Sequence, residues 1–257
     1  MPRSVMHLKS ADEIEAIARA GEIVAGVLAL MEERAAPGVS TEDLDAVAER
    51  YIRDHEGAEP AFKGLYGFPA TLCTSLNDEV VHGIPSAERR LVDGDLLGVD
   101  VGVVLDEMYA DAAVTVAVGE ASGEALRLLE VTRTALDVGV RQASLGSTLG
   151  DLGAAIQSVV EDAGFSVIRE LVGHGVGFAP HEEPHVPNFG RRGQGALLEE
   201  GLVIAIEPMV NVGGRHIRTL ADGWTVVTAD GSLSAHFEHT VAVTREGPRI
   251  LTRRSGD

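Results

Sequence analysis

One cysteine is all that 257 residues provide, so Cys73 has no disulfide partner within the chain and no thiolate-rich zinc site can be built. Lysine is almost as scarce. Lys9 and Lys63 are the only two, the formal net charge is −19, and the basic footprint that nucleic acid requires is missing. No apolar run approaches the roughly 18 residues of a transmembrane helix. The opening MPRSVMHLKSADEIEAIARAG also lacks the apolar stretch and small-residue cleavage site of a signal peptide. The expectation is a soluble cytoplasmic protein with no membrane partner and no direct nucleic-acid partner. Low-complexity segments and linkers are missing too, and the length suits one large domain or two small ones without deciding between them.

Acid is what the chain has in abundance, with 40 Asp and Glu against 21 Lys and Arg. Most of it reads as solvated, solubilising surface. Glu207 does not. It ends the apolar run Leu202 to Ile206, a short strand bounded by Gly201 and Pro208 and buried on at least one face. Burying a lone carboxylate costs on the order of several kcal/mol unless a cation or hydrogen-bond donors compensate it.

Apolar residues at spacings of three and four (Ile14, Ile17, Ala18, Ile23, Val24, Val27, Leu28) predict an opening helix that stops at Pro37-Gly38. Ser40, with Asp43 three residues on, predicts the cap of a second helix. From about residue 60 the texture turns to Gly, Pro and aromatic residues, then to β-rich sequence. The second half replays the order, with a helix over GEALRLLEVTRTALDVGVRQA, a cap signal at Thr148, a helix over LGAAIQSVVEDAG, and more strands. Setting Ser40 against Thr148 also sets Asp43 against Asp151 and Leu44 against Leu152, a constant offset of 108 that suggests duplication. A cap followed by an amphipathic helix is a common pattern, so the repeat stays open on this ground alone. One domain spanning residues 1–257 is expected, with similar lobes over about 10–120 and 121–252.

LLGVDVGVVLDEMYADAAVTVAV reads as two strands around a turn at Asp106-Glu107. In such a hairpin, opposed positions with an odd sum share a face, so Asp100 and Asp111 lie on one face while Val99, Val101 and Val103 point to the other. Side-by-side carboxylates in a β-core repel unless one faces solvent, a proton is shared, or a cation bridges them. Glu238 is a further carboxylate in LSAHFEHTVAVT, read as one strand in which His236, Glu238, Thr240 and Ala242 share a face. His174 lies between Gly173 and Gly175, which let backbone and a bulky partner approach its ring. Four carboxylates and an imidazole exceed the needs of one small cation. Two divalent metals would neutralise the set and activate water for attack on a carbonyl or phosphoryl centre. One softer ligand among oxygens favours manganese or iron(II), with cobalt or zinc able to substitute.

The segments NDEVVHGIP, GVDVGVVLDEMYADAAVTVAVG, GHGVGFAPHEEP, IEPMV and SLSAHFEHT stand in the order, and at close to the spacing, seen in type I methionine aminopeptidases, which the chain resembles from about residue 8 to residue 252. The resemblance implies an α+β pita-bread fold, two related lobes around a dinuclear metal site. It implies the ligand set reached above: Asp100, Asp111, His174, Glu207 and Glu238. It also implies contact or supporting roles for His82 and His181, which nothing else singles out among nine histidines. The implied reaction removes the initiator methionine from nascent polypeptides and peptides when the second residue is small. In it Glu207 takes the proton of the attacking water, His181 or His82 and the metals stabilise the oxyanion, and capture of the free α-amine makes the enzyme an exopeptidase. Met1-Pro2 of this chain is then itself a substrate, and a monomer is expected.

Only 31 positions separate Glu207 from Glu238, which leaves no room for the helical insertion of type II relatives. Proline-specific peptidases with the same ligands usually carry an additional N-terminal domain. Non-catalytic pita-bread binding proteins lose ligands, and here all five positions are filled. The departures concern the substrate pocket. Phe178 and Pro180 stand where the family has an arginine and a pocket phenylalanine, and Phe62 falls near a position that is often small or cysteine. Phe68, Cys73 and Trp224 match the expected side-chain pocket. We therefore expect a rebuilt methionine pocket walled by Phe62, Phe68 and Trp224, with added bulk from Phe178.

Overall fold

The computed structural model describes residues 6–253; the Met1-Pro2 dipeptide expected as a substrate lies outside them. Each half begins with two helices, α1 (Ala11–Arg34) and α2 (Thr41–Arg53), then α3 (Gly123–Gln142) and α4 (Leu149–Asp162). Ser10, Ser40 and Thr148 cap α1, α2 and α4, each accepting the backbone N–H three residues on, while Glu13, Asp43 and Asp151 accept the cap residue's own N–H. Ser40 and Thr148, set against each other by the sequence offset, also each form an isolated antiparallel bridge, to Arg90 and Leu197.

Between α2 and α3 run β1 (Ala58–Pro60), β2 (Leu72–Leu76), β3 (Glu79–Val81), β4 (Leu96–Leu105) and β5 (Met108–Ala117), with a 3-10 turn at Leu65–Gly67. After α4 come β6 (Ser166–Val167), β7 (Gly173–Gly175), β8 (Glu182–Val186), β9 (Val203–Ile206), β10 (Met209–Asn211), β11 (Ile217–Thr219), β12 (Val226–Thr228), β13 (Ser234–His236), β14 (His239–Thr244) and β15 (Gly247–Ile250). All pairings are antiparallel. In the first sheet β4 pairs with β5 along one edge and with β1 and β2 along the other. The second half contributes a five-stranded sheet in the order β15-β14-β9-β7-β8, and two small sheets have the orders β13-β10-β6 and β11-β12-β3.

Helix α1 packs across β4 and β5. It covers Val99, Val101 and Val103, all fully buried, so Asp100 and Gly102 are left on the opposite face, as the alternation predicts. The β4–β5 hairpin turns at Asp106 and Glu107, both in the left-handed region with φ 50° and 65°, as a two-residue turn matched to strand twist requires.

One expectation fails. Residues 234–244 form two strands, not one: β13 pairs with β10, β14 pairs with β9 and β15, and Phe237-Glu238 forms the break between them. The chain changes sheets there, and at the crossing Glu238 N donates to Ala113 O of β5 at 2.9 Å. That seam joins the hairpin of the first half to the sheet of the second. Among the described residues no helix is long and apolar enough to cross a membrane.

Candidate metal centre

The seam gathers the carboxylates. Asp100 on β4 is opposite Ala113 and Asp111 on β5 is opposite Gly102, so the two lie diagonally on one face. Thr240 of β14 fixes Asp111, its Oγ1 lying 2.8 Å from Asp111 O, 3.1 Å from Oδ1 and 3.2 Å from N. Glu207 directly follows β9, and Asn188, fully buried, donates Nδ2–H to its carbonyl at 2.9 Å. Glu238 occupies the break between β13 and β14 and is 3% exposed.

His174 sits on β7 between β8 and β9. A side chain at Gly173 would overlap Ala205 O, and one at Gly175 would overlap Glu183 O, so only glycines let the strand lie this close on either side of the imidazole. His174 Nδ1 lies 3.0 Å from Gly175 O. A proton held there leaves the Nε2 lone pair free, the tautomer of a metal ligand. That Nε2 is 3.5 Å from both Asp111 Oδ2 and Glu207 Oε1. Ligand atoms of Asp111, His174 and Glu238 all lie within 4.8 Å of one another.

Burial pushes the Asp100, Glu207 and Glu238 carboxyls well above the usual carboxylate range, and their neighbours' charges push them further. Burial also raises Asp111, against the opposing pull of His174 and of the Thr240 hydroxyl. Asp100 Oδ1 is buried with no hydrogen-bond partner. Four clustered carboxylates with an orphan oxygen cannot all be charged without cations among them. The donor set, oxygen-rich with one imidazole, suits hard to borderline divalent ions.

All eleven site residues expected from the sequence line one cavity of about 280 Å³. His82, held at φ 60°, is half-buried, and burial lowers its pKa. His181 is exposed at the rim while its ring lies edge-on against His174 at 4.5 Å and stacks on Tyr66 at 6.1 Å. Phe62, Phe68, Cys73 and Trp224 form an apolar wall, with Phe68 and Trp224 edge-to-face at 5.1 Å. Phe62 fits because residue 102 is glycine, where a Cβ would stand 2.6 Å from Phe62 Cε1. Burial, and then the charge of Asp100 across the ladder, holds the Cys73 thiol well above its ordinary pKa. Cys73 is therefore a neutral wall residue and no nucleophile.

Phe178 corrects an expectation. It does not line the cavity; its ring faces outward over Lys9 Nζ at 5.2 Å and His7 at 6.1 Å, and Pro180 is not part of the lining either. The loop turns this way because Glu182 accepts the N–H of Phe178 at 2.6 Å and of Ala179 at 3.0 Å while pairing with buried Lys9 at 2.6 Å. Sequence reasoning also missed Leu65, Tyr66, Val81, Leu171, Val172 and Met209 in the lining. It missed Asn188 and the supporting role of Thr240 as well. Strand alternation had placed Thr240 and His236 on the face of Glu238, and that was the signal available.

The model of metallopeptidase family M24 matches residues 15–245. The methionine aminopeptidase of Clostridium perfringens is 50% identical over 245 residues, 95% of this chain and 98% of the relative. Methionine aminopeptidase 1 of Bacillus subtilis is 47% identical with the same coverage. Among solved structures, the methionine aminopeptidase of Thermotoga maritima superposes with a TM-score of 0.95 at 42% identity, covering 97% of this chain and 100% of that one. The prolidase of Pyrococcus horikoshii shares the fold alone, with a TM-score of 0.78 at 24% identity and coverage of 96% and 64%.

Proposed function

The chain belongs to metallopeptidase family M24, and from that footing we propose that it is a methionine aminopeptidase, a hydrolase of pita-bread fold that removes N-terminal methionine with the help of divalent metal. The observation that carries this reading is the joining, in one cavity, of a carboxylate-rich floor to an apolar wall of Phe62, Phe68, Cys73 and Trp224. Finer points follow as part of the same proposal. The cations are two, manganese or iron(II), and the substrates are nascent chains whose second residue is small. The enzyme works as a cytoplasmic monomer without nucleic-acid contacts.

Asp100, Asp111, His174, Glu207 and Glu238 would hold the ions. Bound there, divalent cations supply Lewis acidity for the scissile carbonyl and lower the pKa of water toward neutrality. The rest belongs to the chain. Phe62, Phe68 and Trp224 bury the methionine side chain and so place its carbonyl over the carboxylates. Glu207 receives the proton of the attacking water and returns it to the leaving amine. His181, at the rim against His174, donates to the carbonyl oxygen as negative charge develops on it. His82, half-buried in the wall, crowds the space beyond the scissile bond and favours small second residues.

The test is release of free methionine from Met-Ala-Ser by metal-stripped enzyme resupplied with Mn²⁺, Fe²⁺, Co²⁺ or Zn²⁺. Methionine released with at least one ion, and none without, is expected. No release with any of them would overturn the reading. The Xaa-Pro alternative is not favoured, since the prolidase likeness reaches the fold and no further.

A further inference from the structure

We propose that His236 is a positioning residue for Glu207, its Nε2–H bonding Glu207 Oε2 so that the other carboxylate oxygen stays turned toward His174. The proposal rests on the aminopeptidase reading above for the role of Glu207.

Two imidazoles flank that carboxylate. His174 Nε2 lies 3.5 Å from Oε1 and His236 Nε2 lies 3.7 Å from Oε2. His236 is 4% exposed, and its Nε2 is buried with no hydrogen-bond partner. Leaving a buried polar atom unpaired is destabilising. Glu207 Oε2 is the carboxylate oxygen this atom faces, and a shift of that carboxylate by about 0.5–1 Å brings it into the ordinary N–H···O range of about 2.7–3.2 Å. Hydrogen bonds of catalytic groups are often long in the unliganded protein and tighten when the site is filled.

The backbone of His236 is anchored by the strands that carry the site. His236 N donates to Thr115 Oγ1 at 2.9 Å, and Thr115 Oγ1 donates to His236 O at 2.8 Å. Thr115 lies on β5 with Asp111. Across the ladder His236 faces Met209, two residues beyond Glu207. The imidazole is thus registered to the hairpin and to the strand leaving Glu207, and does not depend on a loop. It does not line the cavity, so it touches no substrate and acts through Glu207. An imidazole with its N–H on Nε2 has a donor aimed at the Glu207 carboxyl oxygen, and that contact is the geometry the proposal uses.

The experiment compares the full-length chain with His236→Leu, which removes the donor, and His236→Gln, which keeps one. Groups that support metal ligands typically change metal affinity about 10–100-fold when removed. For His236→Leu a loss of about tenfold or more in both kcat on Met-Ala-Ser and Mn²⁺ affinity by calorimetry is expected, with KM within about twofold and Tm unchanged or higher. His236→Gln should recover most of both losses. A merely structural histidine predicts the opposite, a lower Tm with wild-type kcat and Mn²⁺ affinity in His236→Leu, and that result overturns the proposal. Equal impairment of the Leu and Gln variants also overturns it. If His236→Leu does not fold, His236→Asn, polar but too short to reach, takes its place with the same expected losses. Failure of the wild-type enzyme to release methionine would count against the aminopeptidase reading, while the Mn²⁺ affinities of the variants still decide the role of His236.

Discussion

Asp100 and Asp111 stand diagonally across the β4–β5 ladder, Asp100 opposite Ala113 and Asp111 opposite Gly102, with the fully buried Val99, Val101 and Val103 on the other face. The hairpin alone thus puts two carboxylates together in the wall of the cavity. Asp100→Asn should lower kcat at least ~10²-fold and reduce the Mn²⁺ bound per chain. Near-normal turnover by chelated, metal-free enzyme would count against a metal mechanism.

The same crowding makes the metal a stabiliser. Burial and mutual repulsion raise the Asp100, Glu207 and Glu238 carboxyls. A cation that binds only the folded chain adds about 2.7 kcal/mol at a concentration of 100 times its Kd. Thermal melting should therefore rise with added Mn²⁺ and fall on chelation. A Tm indifferent to both would contradict the assignment.

Gly102 gives a test of the pocket wall. Gly102→Ala places a methyl 2.6 Å from Phe62 Cε1 and displaces that ring toward the cavity. KM for Met-Ala peptides should rise more than kcat falls, as when uniform binding is lost. Phe62→Ala should do the same while costing up to about 3–5 kcal/mol in stability. Unchanged kinetics with a much lower Tm would reduce Phe62 to a packing residue.

Lys9 and Glu182 form an ion pair at 2.6 Å with both side chains almost completely buried. Breaking such a pair from one side costs about 3–5 kcal/mol because a buried charge is left alone. Lys9→Met should lower Tm sharply, and adding Glu182→Gln to it should recover part of the loss. Purely additive effects would show that the two groups are not coupled.

At the helix starts the expected pH dependence has a defined sign. Asp43 and Asp151 are held below the ordinary aspartate value of 3.8 by the hydroxyls of Ser40 and Thr148, then by those residues' backbone N–H groups. A depressed folded-state pKa gives stability that is complete above the unfolded value and is lost as the pH falls through the folded one. The Tm gap between wild type and the Asp43→Ala/Asp151→Ala double variant should be full at pH 6 and close as the pH drops below 3.8. A gap that persists at pH 2 would assign the effect to something other than charge.

Much of this was legible because the signals were local. The odd sum of 100 and 111 placed both aspartates on one face without knowledge of the fold, and Ser40 and Thr148 marked helix starts that the structure contains. Glu207 was conspicuous as a charge ending an apolar run. The break at Phe237-Glu238 was not legible, since the alternation continues through it and only the change of partner from β10 to β9 interrupts the strand. Phe178 was misplaced for a similar reason. Its direction is set by a lysine 169 positions earlier, through Glu182, and no short window contains both.

The proposed ligand set is also divided along the chain. Asp100 and Asp111 precede the exposed Gly119-Glu120 link to α3, and His174, Glu207 and Glu238 follow it. A chain nicked at that link would yield two fragments, each with too few ligands to work alone. A divalent ion held by residues from both sides of the link would tie one half of the chain to the other, so chelation should weaken their joining.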